Sequence, residues 1–270
     1  MARGEALCQR TQVGTKSTPK ADRTPAKEIR RGALGGPVES NVLQRMGEVL
    51  AETLFPPKCI GCQRRGTALC AACREELPYL PSGVCPRCAS LRGPRGVCRG
   101  CRRLSPALAG VRAAFAYDGA ARAAVLTLKF KSGRYLAPLM GEFLRAELRR
   151  RPLQADVVVP VPLATSRLRD RGFNQALLLA QQIAMTVRGT VVADALRRDE
   201  RVAQQTLRAA ERLINLNGAF SCQAATEVHG RRVLLVDDVV TTGATFSACA
   251  DALADAGAIR ISAIAFARDL

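Results

Sequence analysis

Arg231–Leu253 reads RRVLLVDDVVTTGATFSACADAL: a fully apolar run, Val233 to Val236, two adjacent acids, a Thr/Gly turn, and then a helical pattern. A short run of Val and Leu flanked by turn residues suits a strand buried on both faces, which is the signature of a parallel sheet packed between helices. At the carboxyl end of such a strand, the backbone N–H groups of Thr241 to Thr245 and the amino end of the next helix form an anion site. Gly243 permits close approach of the chain to phosphate, and Thr241, Thr242 and Thr245 add hydroxyls beside Ala244. Asp237 and Asp238 repel each other when both are ionised, so they call for a cation or a polyol.

Around this element the pattern is α/β. Val111 to Tyr117 reads as a strand, Ala120 to Phe130 and Leu136 to Arg150 as helices, and Asp156 to Val159 as a short strand ended by Pro160 and Pro162. A helix over Gln175 to Val187, a strand near Val191, the strand Arg232 to Val236, a helix over Thr245 to Ala256 and a strand over Ile259 to Phe266 complete a doubly wound, mainly parallel sheet.

Ahead of it, residues 59 to 101 hold four CxxC pairs: Cys59/Cys62, Cys70/Cys73, Cys85/Cys88 and Cys98/Cys101. Eight thiolates suffice for two four-cysteine structural zinc sites with no position left for catalysis. Sequential grouping joins the first pair with the second and the third with the fourth; a cross-braced grouping joins first with third and second with fourth. The stretch is too poor in hydrophobic periodicity to form a core without metal. Cys8, Cys222 and Cys249 stand outside the pattern, and Cys249 reads as a small core residue of the helix after the phosphate loop. The arginines among the CxxC pairs suit either solvation or single-stranded DNA, but no aromatic platform accompanies them.

Residues 1–40 form a basic tail that lacks the apolar surface to order itself. Asn41 to Phe55 (NVLQRMGEVLAETLF) reads as a helix, and Met46 is a candidate translation start. The expected division is a disordered tail over 1–40, a helix plus double zinc ribbon over 41–103, and an α/β domain over 104–270. A net charge of +18 spread along the chain favours phosphate-rich partners. No apolar run reaches the roughly 18 to 20 residues of a membrane helix, and no secretory leader is evident, so a cytoplasmic location is expected.

The strand followed by Asp-Asp and TTGAT resembles the 5-phosphoribosyl 1-diphosphate (PRPP) signature of type I phosphoribosyltransferases. VPVPL (159–163), RGFNQ (171–175), QQTLRAAERLINLNGAF (204–220) and VDDVVTTGAT (236–245), in this order, are similar to the ComF family of competence-associated proteins of that fold. LKFKSGRYLAPLM (128–140) resembles the family's basic segment. The resemblance implies that Asp237 and Asp238 hold the ribose hydroxyls and that Thr241, Thr242, Gly243, Ala244 and Thr245 hold the 5′-phosphate. Lys129, Lys131, Arg134, Arg167, Arg169 and Arg171 are the expected basic frame for pyrophosphate, since Arg presents fixed donor forks to phosphate. The resemblance also implies sequential zinc ribbons, Mg²⁺ with PRPP, an unknown acceptor, and a link to DNA uptake or to single-stranded DNA. Arg201 departs from the family pattern, which has Thr three residues before the Gln of the later block.

The expected chemistry is Mg²⁺-dependent phosphoribosyl transfer with pyrophosphate release, carried by positioning and charge rather than by a histidine base. His229 reads as a surface residue. The alternative is a non-catalytic, DNA-associated adaptor that uses the PRPP pocket as a ligand sensor.

Overall fold

The computed structural model describes residues 56–93, 98, 100–199 and 218–270. The basic tail, the helix expected over Asn41 to Phe55, Met46, and the Arg201 and Gln204 positions lie outside them. In chain order the strands are β1 (Leu108–Ala116), β2 (Val157–Pro160), β3 (Thr190–Val191), β4 (Leu196–Arg198), β5 (Phe220–Cys222), β6 (Arg232–Val240) and β7 (Arg260–Arg268). The helices are α1 (Ala71–Glu75), α2 (Gly119–Leu128), α3 (Ala137–Arg150), α4 (Thr165–Arg171), α5 (Gln175–Val187), α6 (Ala225–Val228) and α7 (Ala244–Asp255).

Five strands form one sheet in the order β1-β7-β6-β2-β3, and every pairing in it is parallel. Val233 to Val236 are buried on both faces of central β6, as the unbroken apolar run requires. On one face Leu234 and Val236 join the core of α2, α3 and α5; on the other Val233 and Leu235 join Phe246, Cys249 and Leu253 of α7. Cys249 is fully buried, as a small core residue should be. Local caps set the helix starts. Asp118 accepts from Gly119 N at 2.7 Å, and Asn174 accepts from Ala176 N at 2.9 Å while its amide donates to Val161 O at 3.0 Å. Asn174 of RGFNQ thus ties the start of α5 to the middle of VPVPL.

Three features differ from the sequence reading. β6 continues through Asp237 and Asp238 to Val240 rather than stopping at Val236, because its ladder with β7 pairs Asp237 with Ala265 and Val240 with Arg268. The basic stretch after Pro162 is a short helix, α4, ended by Gly172 at φ +75°. The antiparallel pair β4–β5 is absent from the sequence reading, since its strands are three residues each and far apart in the chain, with no tight-turn signal between them.

The cysteine region packs on the sheet. Edge strand β1 would expose unpaired backbone donors, but Val111 N donates to Arg87 O at 2.6 Å and Ala116 N to Pro78 O at 2.7 Å. The region also contributes to the main core: Ile60, Leu69 and Leu77 lie in the cluster of Phe115, Phe143 and Phe266, and Leu104 lies in the opposite one. Among the described residues no helix is long and apolar enough to cross a membrane.

The amino ends of β2 and β6 are clamped by charge. Asp156 accepts from the Arg232 backbone N at 2.9 Å, from Nε at 3.0 Å and from Nη2 at 2.6 Å. These bonds from Arg232 hold the Asp156 carboxyl down at about 2. A depressed acid stabilises the fold fully above its unfolded value, near 3.9, and loses that contribution as pH falls through its folded value. Asp156→Asn should therefore lower the denaturant midpoint at pH 7, and the gap from the native chain should close as pH falls from about 4 to about 2.

Candidate functional site

From β2 the chain crosses through α5 to β3 on one side, whereas from β6 it crosses through α7 to β7 on the other. The crossovers diverge between β2 and β6, so the crevice outside their carboxyl ends is a topological switch point, where open α/β sheets bind ligands. Asp237 and Asp238 stand at that end of β6.

Alternation along the strand sends the two carboxylates to opposite faces. Asp238 Oδ2 lies 3.9 Å from Nζ of Lys129, the residue that ends α2, while Asp237 bears electrostatically on Cys249 of α7. Asp237 Oδ1 also accepts from Asp238 N at 2.8 Å. Burial, followed by repulsion from Asp238, pushes the Asp237 carboxyl well up. Burial raises Asp238 as well, against the opposing pull of Lys129 and, more weakly, Arg171. The pair is held at an electrostatic cost that a cation or hydroxyl donors would relieve.

After Val240 come exposed Thr241 and Thr242. Gly243 takes φ +85° as the residue before α7, and Ala244 N donates to Thr242 Oγ1 at 3.3 Å. The first backbone donors of α7, through Thr245, open the helix at this point. A Cβ on Gly243 would sit 2.6 Å from Leu104 Cδ2, so the left-handed conformation favours glycine and a side chain there would also displace the end of Leu104. Leu104 follows the last cysteine pair by three residues, and its neighbour Ser105 donates its backbone N to Ser247 Oγ of α7 at 3.0 Å. The phosphate-type loop is therefore braced by the end of the cysteine region, a contact with no signal in the sequence.

The basic segments converge only in part. Lys129 and Arg171 act on Asp238, and Arg134 stacks on Phe173 of RGFNQ at 5.2 Å, which brings two of the family-like motifs together. Arg167 and Arg169 are exposed on α4. Lys131 lies in the 3₁₀ turn Lys131–Leu136 that follows α2. Just past the carboxyl end of β2, Pro162 and Leu163 with residues of α4, β4 and β5 line a cavity of about 950 Å³, among them Thr165, Arg197, Arg198, Ser221 and Gln223. The sequence reading had no reason to single out Arg197 or Arg198, because they line this cavity only through the β4–β5 pairing. His229 ends α6 and packs against Gly257, away from the acids, as a surface role implies.

The cysteines gather sequentially. Sγ atoms of Cys59, Cys62, Cys70 and Cys73 lie within 4.8 Å of one another, as do those of Cys85, Cys88, Cys98 and Cys101. Contacts of 3.7 Å (Cys59–Cys70), 3.7 Å (Cys62–Cys70), 3.5 Å (Cys85–Cys101) and 3.2 Å (Cys88–Cys98) suit the edges, about 3.8 Å, of a tetrahedron with metal–sulfur bonds near 2.3 Å. Both sites reuse one turn. Lys58 bridges Arg65 and Val84 bridges Leu91, and the residue after each leading CxxC, Gln63 or Ala89, is left-handed at φ 62° and 57°. Burial opposes the Cys59 and Cys85 thiolates, but hydrogen bonds from neighbouring backbone groups outweigh it and bring each thiol to about 6. Neighbouring sulfurs and burial push other thiols of the same clusters up, Cys73 in the first and Cys98 and Cys101 in the second, so four thiolates in either closed cage call for a shared cation, which fits structural zinc.

These features define a phosphoribosyltransferase-type domain joined to a double zinc ribbon. The Phosphoribosyl transferase domain pattern matches residues 146–270, and the Double zinc ribbon domain pattern matches residues 50–103. The chain is 30% identical to Competence protein F of Haemophilus influenzae, over 79% of this chain and 98% of that one. It is 27% identical to Competence protein ComFC of Bacillus subtilis over 70% and 79% of the two chains. With the DNA utilization protein YhgH of Escherichia coli K12 it shares 35% identity over 53% and 65%. The chain belongs to the ComF family of competence-related, phosphoribosyltransferase-like proteins.

Cys85→Ser should lower bound zinc from two ions to one per chain by elemental analysis, with the ion of the Cys59, Cys62, Cys70 and Cys73 site retained. Gly243→Val, which meets both the left-handed backbone and Leu104, should be destabilised by at least about 1 kcal/mol in chemical denaturation.

Proposed function

We propose that the chain binds PRPP with Mg²⁺ at the β2/β6 switch point and transfers its phosphoribosyl group to an acceptor, releasing pyrophosphate. The observation that carries this reading is the pair Asp237–Asp238, half-buried with Lys129 as its close cation, shortly before an amide-rich loop. In this reading Asp237 and Asp238 take the ribose 2′ and 3′ hydroxyls as donors, which replaces their mutual repulsion with hydrogen bonds to charged acceptors. Thr241 to Thr245 take the 5′-phosphate through backbone N–H groups, hydroxyls and the start of α7. Lys129 and Arg171, with Arg167 and Arg169 along α4, face the departing pyrophosphate. Hard carboxylate and phosphate oxygens suit Mg²⁺, which supplies charge neutralisation on the leaving group. The cavity beside β4 and β5 is the space available to an acceptor, and its polar lining suits a hydrogen-bonding one. The domain division at 103/104 follows the same reading, with the ribbons as a metal-stabilised brace. The competence and DNA-utilization names of the relatives support a setting in DNA uptake, within the cytoplasm.

A second reading, a DNA-associated adaptor that uses the pocket as a sensor, draws on exposed Phe130 and Tyr135. They are 66% and 47% accessible and lie beside Lys129 and Arg134. Aromatics interleaved with cations are what single-stranded nucleic acid stacks on.

Calorimetric titration with PRPP and Mg²⁺ separates the two. The native chain should bind, and Asp237→Asn with Asp238→Asn should weaken binding about 100-fold or more while leaving zinc content unchanged. Equal affinity in the double mutant would defeat the site assignment. Pyrophosphate release only with an acceptor present supports the enzyme; PRPP binding without release, together with DNA affinity lost in Phe130→Ala/Tyr135→Ala, supports the adaptor.

A further inference from the structure

β7 ends on a buried arginine that neither the catalytic proposal nor the sequence motifs use. Arg268 is 4% exposed. Its Nη2 donates to Ser90 Oγ at 2.6 Å, whereas Nε and Nη1 are buried and meet no acceptor among the described residues. A guanidinium desolvated with most of its donors unmet is costly unless a negative group faces it.

The second cysteine cluster supplies that group. Arg268 is disfavoured by its burial and favoured by the charges of Cys88, Cys98, Asp269 and Cys85. Ser90, its hydrogen-bond partner, belongs to the cluster's turn: Cys85 N donates to Ser90 O at 2.8 Å. A Cβ on Gly100 would lie 2.6 Å from Ser90 Oγ and 3.2 Å from Cys88 Sγ, so the serine hydroxyl and that sulfur flank the same spot. Four thiolates around Zn²⁺ carry a net charge of −2, and sulfur accepts N–H donors of the kind Arg268 holds in reserve. The first cluster has a different environment. The arginine packed near it, Arg74, is 41% exposed and engaged with Glu142 at 2.9 Å.

We propose that Arg268 is the charge partner of the metal–thiolate group of Cys85, Cys88, Cys98 and Cys101, a positioning residue that holds the second ribbon against the carboxyl end of β7. The inference rests on zinc at that cluster and is independent of PRPP binding. It explains why a strand whose other buried residues are Ile, Ala, Ser and Phe ends in a buried cation, and it links the second ribbon to the strand end whose register partner is Val240, just before the phosphate loop.

The test uses the full chain and reads each cysteine separately. Iodoacetamide alkylation is followed by mass spectrometry in the presence of a zinc chelator, with Cys62 and Cys70 as internal reference. Arg268→Gln should weaken zinc retention at Cys98 and Cys101 about 10- to 100-fold, in the range of other outer ligand-sphere losses, with Cys62 and Cys70 unchanged. Arg268→Lys, which keeps the charge, should restore most of the protection. Ser90→Ala, which removes one hydrogen bond and leaves the charge, should stay close to native. Native protection in Arg268→Gln overturns the proposal. So does equal loss in the Lys and Gln variants, because shape rather than charge would then be the cause, or a loss in Ser90→Ala as large as that in Arg268→Gln. If Arg268→Gln does not fold, the Lys and Ser90 variants decide: retained protection in both supports the charge partnership, and loss in either overturns it. Free alkylation of Cys98 and Cys101 in the native chain, with Cys62 and Cys70 protected, removes the metal that Arg268 would serve and also overturns it.

Discussion

Burial of β6 on both faces is the constraint from which the architecture follows. Parallel strands of Val, Leu and Ile must be covered above and below, so α2, α3 and α5 take one face and α7 with β4–β5 takes the other. Covering both faces of one sheet obliges the crossovers to diverge somewhere, and they diverge between β2 and β6. The same central strand that demands two helix layers thus delivers its two carboxylates into the crevice that those layers leave open.

The cysteine region solves the remaining problem of the sheet, its β1 edge. Backbone acceptors of Pro78 and Arg87 meet donors of Ala116 and Val111, and apolar residues of the first and second ribbons enter opposite cores. A segment this short cannot stabilise itself by burial alone. Zinc fixes its turns and the sheet supplies its hydrophobic partner. In return Leu104 packs on Gly243, so the conformation of the phosphate-type loop depends on chain that directly follows the last thiolate pair. Family membership, through the two domain patterns and the similarity to Competence protein F, agrees with this joint construction.

Electrostatics divides the molecule's cations by task. Arg232 clamps strand ends through Asp156, Arg134 stacks on Phe173, Lys129 faces Asp238, and Arg268 is enclosed beside thiolates. A net charge of +18 says nothing of that division. It is set by which acidic or π group each side chain meets after folding.

The sequence alone determined the elements whose cause is local or periodic. The apolar run of β6 implied a parallel sheet, the α/β pattern placed a helix over Gln175 to Val187, and the CxxC spacing implied two four-thiolate sites. Asp237, Asp238 and the Thr/Gly loop were legible for the same reason, because a strand end followed by Gly and a helix start is a contiguous anion-binding unit. Only the tertiary structure decided what depends on distant partners. It selected sequential over cross-braced cysteines, extended β6 through its acids by pairing with β7, formed β4–β5 across a long gap, and set Lys129 against Asp238, Leu104 against Gly243 and Arg268 against the second cluster. Outside the cysteine clusters, those contacts join residues from 22 to 183 positions apart that share no periodicity, and chain folding alone brings them together.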